Sequence, residues 1–425
     1  MIQFLKNLNE SNKVILSNFF SLLSLQTVNI LLPLIVFPYL VKVLGIEKYG
    51  LIIFAQAFAS YFLIITEYGF NLSGTRKISL HKKDKIKLND YFNSILQSKI
   101  LLTLLSLFIV LIIVFAFEKF RQDKYLYLLT FSCVFGSTLF PVWFFQGIEK
   151  MKQITILNFI SKSLFTILIL VFVNSPDDYL LVPAFQSFGF LLIGFISIYL
   201  IKYKYGIRLK ITSFKSILQE LKEGVYIFLS NISTNIYSAT GVLILGFIGN
   251  EIIVGIYGVA EKLIRIIASL FYPLSQAIYP RAVYLVSIDK QKAFYFLKKI
   301  LIIVFLTSLL ITFLALIFGE FMISLIVEEY LLETLNIFQY LSPLLVVLPI
   351  SIILFHNTLL SFKLDRFFLM IYLIGSITNL VLLYILIFLF EYQEIGVVIS
   401  LLICEFLVLA LAFRVFYVKV YKVIF

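Results

Sequence analysis

Ser94-Ile-Leu-Gln-Ser-Lys-Ile-Leu-Leu-Thr-Leu-Leu-Ser-Leu-Phe-Ile-Val-Leu-Ile-Ile-Val-Phe-Ala-Phe117 is the stretch that decides the fold class. Wound as an α-helix rising about 1.5 Å per residue, it is long enough to cross roughly 30 Å of hydrocarbon. Working outward, runs of the same kind recur between charge clusters and loop residues. They give about twelve helices, near 14–41, 50–70, 94–117, 125–147, 153–173, 180–202, 224–249, 252–284, 297–319, 334–360, 367–389 and 395–417. The whole chain agrees with the local reading: 61% of its 425 residues are hydrophobic and 14% charged, against roughly 25% charge in a soluble domain. The expected fold class is therefore an all-α polytopic membrane protein. No hydrophilic stretch is long enough to hold an appended soluble catalytic domain, so any chemistry occurs within or beside the bilayer.

Several function classes fall away on composition. Cys133 and Cys404 lie in apolar runs, where a cysteine behaves as a small hydrophobe rather than as half of a disulfide framework. His81 and His356 stand in separate segments without Cys or carboxylates at ligand spacing, so no metal or redox cofactor is expected. The first apolar run is far longer than the 7 to 15 residue core of a cleavable signal and stays as the first membrane helix. The loops carry no nucleotide-binding or triad motif.

The net charge of +12 is a matter of topology. Of the Lys and Arg residues, about 27 fall on the loop set that shares a side with both termini and about five on the other, a bias that places the termini in the cytoplasm. Arg76, Lys77, Lys82 and Lys83 follow the second helix, and Lys202, Lys204, Arg208, Lys210 and Lys215 follow the sixth. The opposite face carries Asp177, Asp178, Glu328, Glu329, Glu333, Glu391 and Glu394. Cations spread over separate loops do not make a nucleic-acid surface. The link over residues 202–223 divides the chain into an amino-terminal six-helix lobe, 1–215, and a carboxyl-terminal one, 216–425. An internal echo supports the division: Tyr49-Gly50-Leu-Ile-Ile-Phe-Ala55-Gln56 lies on Val254-Gly255-Ile-Tyr-Gly-Val-Ala260-Glu261, and at the same offset Arg76 lies on Arg281. Parallel repeats of this kind are one transporter architecture.

Charge near the middle of a membrane helix costs roughly 2.5–3.5 kcal/mol on insertion scales and so marks a cavity, a partner or a function. The eighth helix holds Glu261, Lys262 and Arg265 together. Glu261 and Arg265, four apart, fit an ion pair on one face; Lys262 is left as surplus positive charge, suited to an anion-attracting cavity wall. The seventh helix aligns Asn231, Asn235 and Ser238 on one face, as helix-to-helix glue or as donors and acceptors for sugar hydroxyls. The first carries Gln26 and Asn29 ahead of Pro33 and Pro38, where freed carbonyls need neighbours or cavity water. Asn158 and Lys162 share a face of the fifth helix, with Lys162 inside a cavity or snorkelling to the interface. Glu67, Glu261 and Glu405 are the intramembrane acids, candidates for ion coupling by proton or sodium, with pairing to Arg76 as the other reading of Glu67.

The motifs then resemble a known family. Gln26-x-x-Asn29-x-x-x-Pro33-Leu-Ile-Val-Phe-Pro38-Tyr39-Leu with Leu44-Gly45-Ile-Glu-Lys-Tyr49-Gly50, Glu67-Tyr68-Gly69-Phe70-Asn71-Leu-Ser73-Gly-Thr75-Arg76, Pro141-Val-Trp143-Phe-Phe-Gln146-Gly147-Ile-Glu149-Lys150-Met151-Lys152 and Tyr257-Gly-Val-Ala-Glu261-Lys262-Leu-Ile-Arg265 through Tyr279-Pro280-Arg281 are similar, in this order, to bacterial O-antigen and capsule flippases of the Wzx type. After residue 300 the likeness rests on hydropathy.

The resemblance implies the multidrug/oligosaccharidyl-lipid/polysaccharide exporter superfamily, with two six-helix lobes around a central cavity in the bacterial inner membrane. It implies an undecaprenyl-pyrophosphate oligosaccharide as substrate, membrane lipids as surroundings, and a polysaccharide polymerase and chain-length regulator as candidate partners. Lys262, Arg265, Arg76 and Arg281 are then expected to meet pyrophosphate. Asn29, Gln26, Asn231, Asn235 and Gln146 are expected to meet glycan. The transport cycle implied is alternating access, driven by an ion gradient, by membrane potential or by polymerisation outside. A lipid II flippase shares this chemistry. A drug antiporter would want acidic or aromatic cavity residues, and a membrane-embedded polymerase a long outward loop, whereas each outward loop here is about 15 residues or shorter by the same helix boundaries.

Overall fold

The computed structural model describes residues 10–359, 361, 362 and 364–424, and these hold helices and turns without a strand. The first helix, α1, runs Glu10–Glu67 and takes in both of the first two expected spans. Its one non-helical residue is Gly45, at φ 75° and ψ 166°, a region open almost only to glycine. No atom lies within 4 Å of where a Cβ would stand, so the break depends on backbone freedom and not on space. The helix stops at Tyr68 and Gly69, both with positive φ. A Cβ on Gly69 would also lie 2.4 Å from the Ile227 side chain, so this turn is closed to other residues on both counts.

After that turn the structure departs from the expected loop, because Phe70–His81 forms a helix, α2. Its apolar face, Phe70, Gly74 and Ile78, is buried while Arg76 is exposed; a run of charge had masked an amphipathic helix. There follow α3 (Lys85–Ala116), α4 (Glu118–Gln122), α5 (Lys124–Leu139), α6 (Val142–Gly147), α7 (Met151–Phe172) and α8 (Leu181–Tyr203). Next come α9 (Phe214–Ile248), α10 (Glu251–Ser269), α11 (Tyr272–Ile288), α12 (Lys290–Ser324), α13 (Leu331–Leu341), α14 (Leu344–Ile352), α15 (Asp365–Leu383) and α16 (Gln393–Phe416), with π-helical turns at Ile353–Leu359, Tyr384–Leu389 and Tyr417–Tyr421.

Three expected continuous helices are broken, each beside a proline that removes a donor and crowds the preceding turn. The span 125–147 divides at Phe140 and Pro141, 252–284 at Leu270 and Phe271 ahead of Pro273, and 334–360 at Ser342 and Pro343. The last is bent by 45°. By length and composition eight helical segments among the described residues can cross a membrane, or nine with that bent pair, where twelve were expected. One of the eight, Leu31–His81, contains parts of two expected spans. The segment α10 is not among them, since Glu261, Lys262 and Arg265 interrupt its apolar character.

The chain packs as two compact units, Met1–Val36 with Phe58–Ile232, and Phe37–Ala57 with Ser233–Phe425. In the first, an aromatic core of Phe92, Trp143, Phe144 and Phe145 is sealed against Ile78 and Ile95. Helices α5 and α8 meet through small residues: a Cβ on Gly136 would fall 2.5 Å from the Phe190 backbone, and one on Gly194 2.8 Å from Leu139. In lipid, where apolar burial drives little association, such close approach supplies the packing. In the second unit the same device joins the arm 37–57 to α10. A Cβ on Gly50 would stand 2.0 Å from the Glu251 carbonyl oxygen, and one on Gly255 2.2 Å from that of Ile46. The two glycines matched by the internal echo are thus the two that touch. Asp289 caps α12 by accepting from the backbone N–H groups of Gln291 and Lys292.

Candidate functional site

The Gly50 and Gly255 crossing sets the arm 37–57 alongside α10 and so positions the charged turn. Within that turn the spacing of four brings Arg265 onto Glu261, whose Oε1 accepts from both Nε (2.8 Å) and Nη2 (2.7 Å). The Arg265 side chain remains 41% exposed against 10% for Glu261, and among the described residues its Nη1 has no hydrogen-bond partner. Lys262 points elsewhere. Its Nζ donates to the Tyr49 hydroxyl at 2.9 Å and stands 5.0 Å from the Phe37 ring centroid and 5.5 Å from that of Tyr49. The cation is held by a phenol and two ring faces, an electrostatic attraction that leaves its charge uncancelled.

Glu405, buried on α16, lies near enough to Arg265 to act on it electrostatically. Arg265 therefore has a second acid, from another helix, which sequence spacing could not show, while the surplus charge on Lys262 stays with its phenol and rings. Arg281, on α11, stacks its guanidinium over Tyr284 at 5.4 Å. The Asn235 side chain lies outside the described residues.

The first unit has a polar set of its own. Lys162 Nζ donates to Asn29 Oδ1 at 2.6 Å, so of its two expected readings the structure gives an internal partner. Lys99, which sequence reasoning passed over inside a long apolar run, is 2% exposed. Its Nζ donates to the Ser137 carbonyl at 3.3 Å, and Glu67 acts on it electrostatically. Glu67, for which Arg76 is the expected partner, thus has Lys99 as its charged neighbour, and Arg76 is exposed, without a bonded partner among the described residues. Gln146 accepts a hydrogen bond from Thr75 at 3.1 Å and ties α6 to α2, a structural use that competes with the expected glycan contact. Asn231 is exposed; the Gln26 side chain lies outside the described residues.

Lys77 on α2 reaches Glu220 and Glu223 near the start of α9, each at 2.8 Å. Its hydrogen bond holds the Glu223 carboxyl below the usual range, while burial pushes that of Glu220 up. Beside this junction Tyr68 stacks on Phe228 with centroids 4.5 Å apart. The signal for Lys77 was present as one basic residue among several; what singled it out is the burial of its partner Glu220.

A family model described as a polysaccharide biosynthesis protein matches residues 15–286. The chain belongs to this family. It is 30% identical over 396 residues to an Escherichia coli protein named "putative O-antigen transporter", covering 91% of this chain and 92% of the relative. A Shigella dysenteriae protein of the same name is 29% identical over 387 residues, covering 89% and 94%. The fold is similar to that of an inward-facing multidrug resistance transporter of the MATE family within the MOP superfamily, at a TM-score of 0.73 and 13% identity over 95% of this chain and 98% of the other. It is also similar to the lipid II flippase MurJ in an inward closed conformation, at 0.68 and 16% over 96% and 87%. The resemblance carried by the motifs of the first 286 residues is borne out.

Proposed function

We propose that this chain is a flippase that carries an undecaprenyl-pyrophosphate-linked oligosaccharide repeat unit from the cytoplasmic to the outer face of the bacterial inner membrane, for O-antigen or capsule synthesis. The observation that carries the reading is the 30% identity to an O-antigen transporter candidate across nine-tenths of both chains. The chemistry of α10 supports it. A pyrophosphate wants a donor whose charge is not already cancelled, and Lys262, held by neutral groups, supplies it; Arg265, although its charge is paired with Glu261, would add N–H donors beside it. Arg76 and Arg281 would meet the headgroup at the cytoplasmic mouth, and Asn29, Asn231, Asn235, Gln26 and Gln146 would meet sugar. Glu67, Glu261 and Glu405, each beside a cation, are the groups through which ion coupling would act.

In this reading the twelve spans form two six-helix lobes, 1–215 and 216–425, with both termini cytoplasmic. The lobes work by alternating access while the lipid tail stays in the bilayer. A polymerase and a chain-length regulator would take up the product. The test is lipid extraction from a strain lacking the gene, with face-specific labelling of membrane vesicles. Complete repeat units should accumulate on the cytoplasmic face, relieved by the wild-type gene and not by a Lys262→Gln, Arg265→Gln double variant. Normal export by a well-expressed double variant would overturn the site. Single repeat units on the outer face would overturn the flippase reading in favour of a missing polymerisation step.

A further inference from the structure

Between the start of α12 and the end of α16, with Ile350 of α14 also in its lining, runs a groove of about 510 Å³. That volume lies within the roughly 300–1,000 Å³ of ordinary small-molecule sites. Leu301, Phe305, Phe413 and Phe416 line it, and the one charged residue in its wall is Lys298, exposed and without an acidic partner among the described residues. Tyr417 and Tyr421 also line it; their rings stack 5.3 Å apart, and Lys422 Nζ stands 5.5 Å from the Tyr417 centroid. Phe294 stacks on Phe416 at an interplanar angle of 7°, which joins the start of α12 to the end of α16. Lys290, Lys292, Lys298 and Lys299 on α12 and Lys419 and Lys422 after α16 share that end.

Three features identify the occupant. The apolar window of α12 is only 17% buried by the rest of the protein, so what covers it is bilayer. Tyrosines and lysines clustered at one end of apolar helices mark the headgroup level of a membrane, and an excess of lysine marks its cytoplasmic side. A basic group at that depth beside an apolar cleft matches an anionic headgroup joined to an acyl chain. We propose that this groove holds one acyl chain of an anionic phospholipid of the inner leaflet, with Lys298 meeting its phosphodiester. The groove shares α16 with Glu405 but none of its lining residues belongs to the proposed α10 site, and it does not depend on the flippase reading.

The test uses the full chain in nanodiscs containing phosphatidylglycerol and phosphatidylcholine at equal mole fraction, followed by native mass spectrometry of the lipid retained after detergent release. Phosphatidylglycerol should be retained in preference. Lys298→Gln should lower that retention about fivefold, the scale of one lysine near an anionic lipid surface. Ile302→Trp, which fills the groove and keeps the cation, should abolish retention, with size-exclusion profiles showing both variants folded. Equal retention of the two lipids, or wild-type retention by either variant, would overturn the proposal. Displacement of phosphatidylglycerol by an equal mole fraction of undecaprenyl phosphate would also overturn it, giving the groove to a polyprenyl tail.

Discussion

Arg265 and Lys262 stand three residues apart on one helix and are satisfied in opposite ways. Arg265 leans on Glu261 through two hydrogen bonds and feels Glu405 as well; Lys262 has a hydroxyl and two aromatic rings. The first arrangement cancels charge, so removing the acid strands a cation. The second preserves charge, so removing the cation strands almost nothing. An ion pair lets a helix enter a membrane, whereas a cation held by rings stays available to an anionic ligand that can displace the phenol.

On the scale of folding stability, the contrast is broken most sharply by Glu261→Gln. It should cost about 2 kcal/mol, under the ~3–5 kcal/mol typical of a fully buried pair because Arg265 is 41% exposed. A melting temperature in detergent indistinguishable from wild type would show that the pair is not structural. Next, Asn29→Leu removes the acceptor of Lys162 and should cost about 1.5 kcal/mol, the range of a hydrogen bond to a charged group; the same assay should place it below Glu261→Gln in cost. Tyr49→Phe keeps both rings and deletes one hydroxyl, for about 1 kcal/mol, with export reduced but measurable. Lys262→Met should sit within about 0.5 kcal/mol of wild type or above it, as expected when a cation without an acid partner is replaced by an apolar chain of similar length. Export should nonetheless fail. If Lys262→Met melts as low as Glu261→Gln, Lys262 is structural and the comparison collapses.

Much of this was legible from the residues in order. The charged turn at 261–265 stood out because charge is costly where apolar periodicity predicts lipid, and the ion pair followed from a spacing of four. The motifs between Gln26 and Arg281 were enough to suggest the family. What stayed hidden depends on partners far along the chain. Nothing near Lys262 announces Phe37 and Tyr49, nothing near Arg265 announces Glu405, and Lys99 was lost because one polar residue barely perturbs a run as apolar as 94–117. The helix at Phe70–His81 looks like loop in sequence because its exposed face is basic, and the helix breaks beside Pro141, Pro273 and Pro343 leave no mark because hydropathy does not fall there.

The joining of residues 37–57 to the carboxyl-terminal helices also has a consequence in time. Gly50 touches Glu251 and Gly255, some two hundred positions later in the chain. At about 5–20 residues per second, synthesis of that interval takes roughly 10–40 s. For that period the arm is in the membrane without the surface that will cover it, and its bare glycine seam and the rings of Phe37, Tyr49 and Phe54 face lipid or the insertion machinery. The nascent chain therefore passes through a long-lived, half-assembled stage, set by the order of its residues and not by the strength of any contact. Slowing translation near residue 250 should lengthen that stage and expose it to proteolysis.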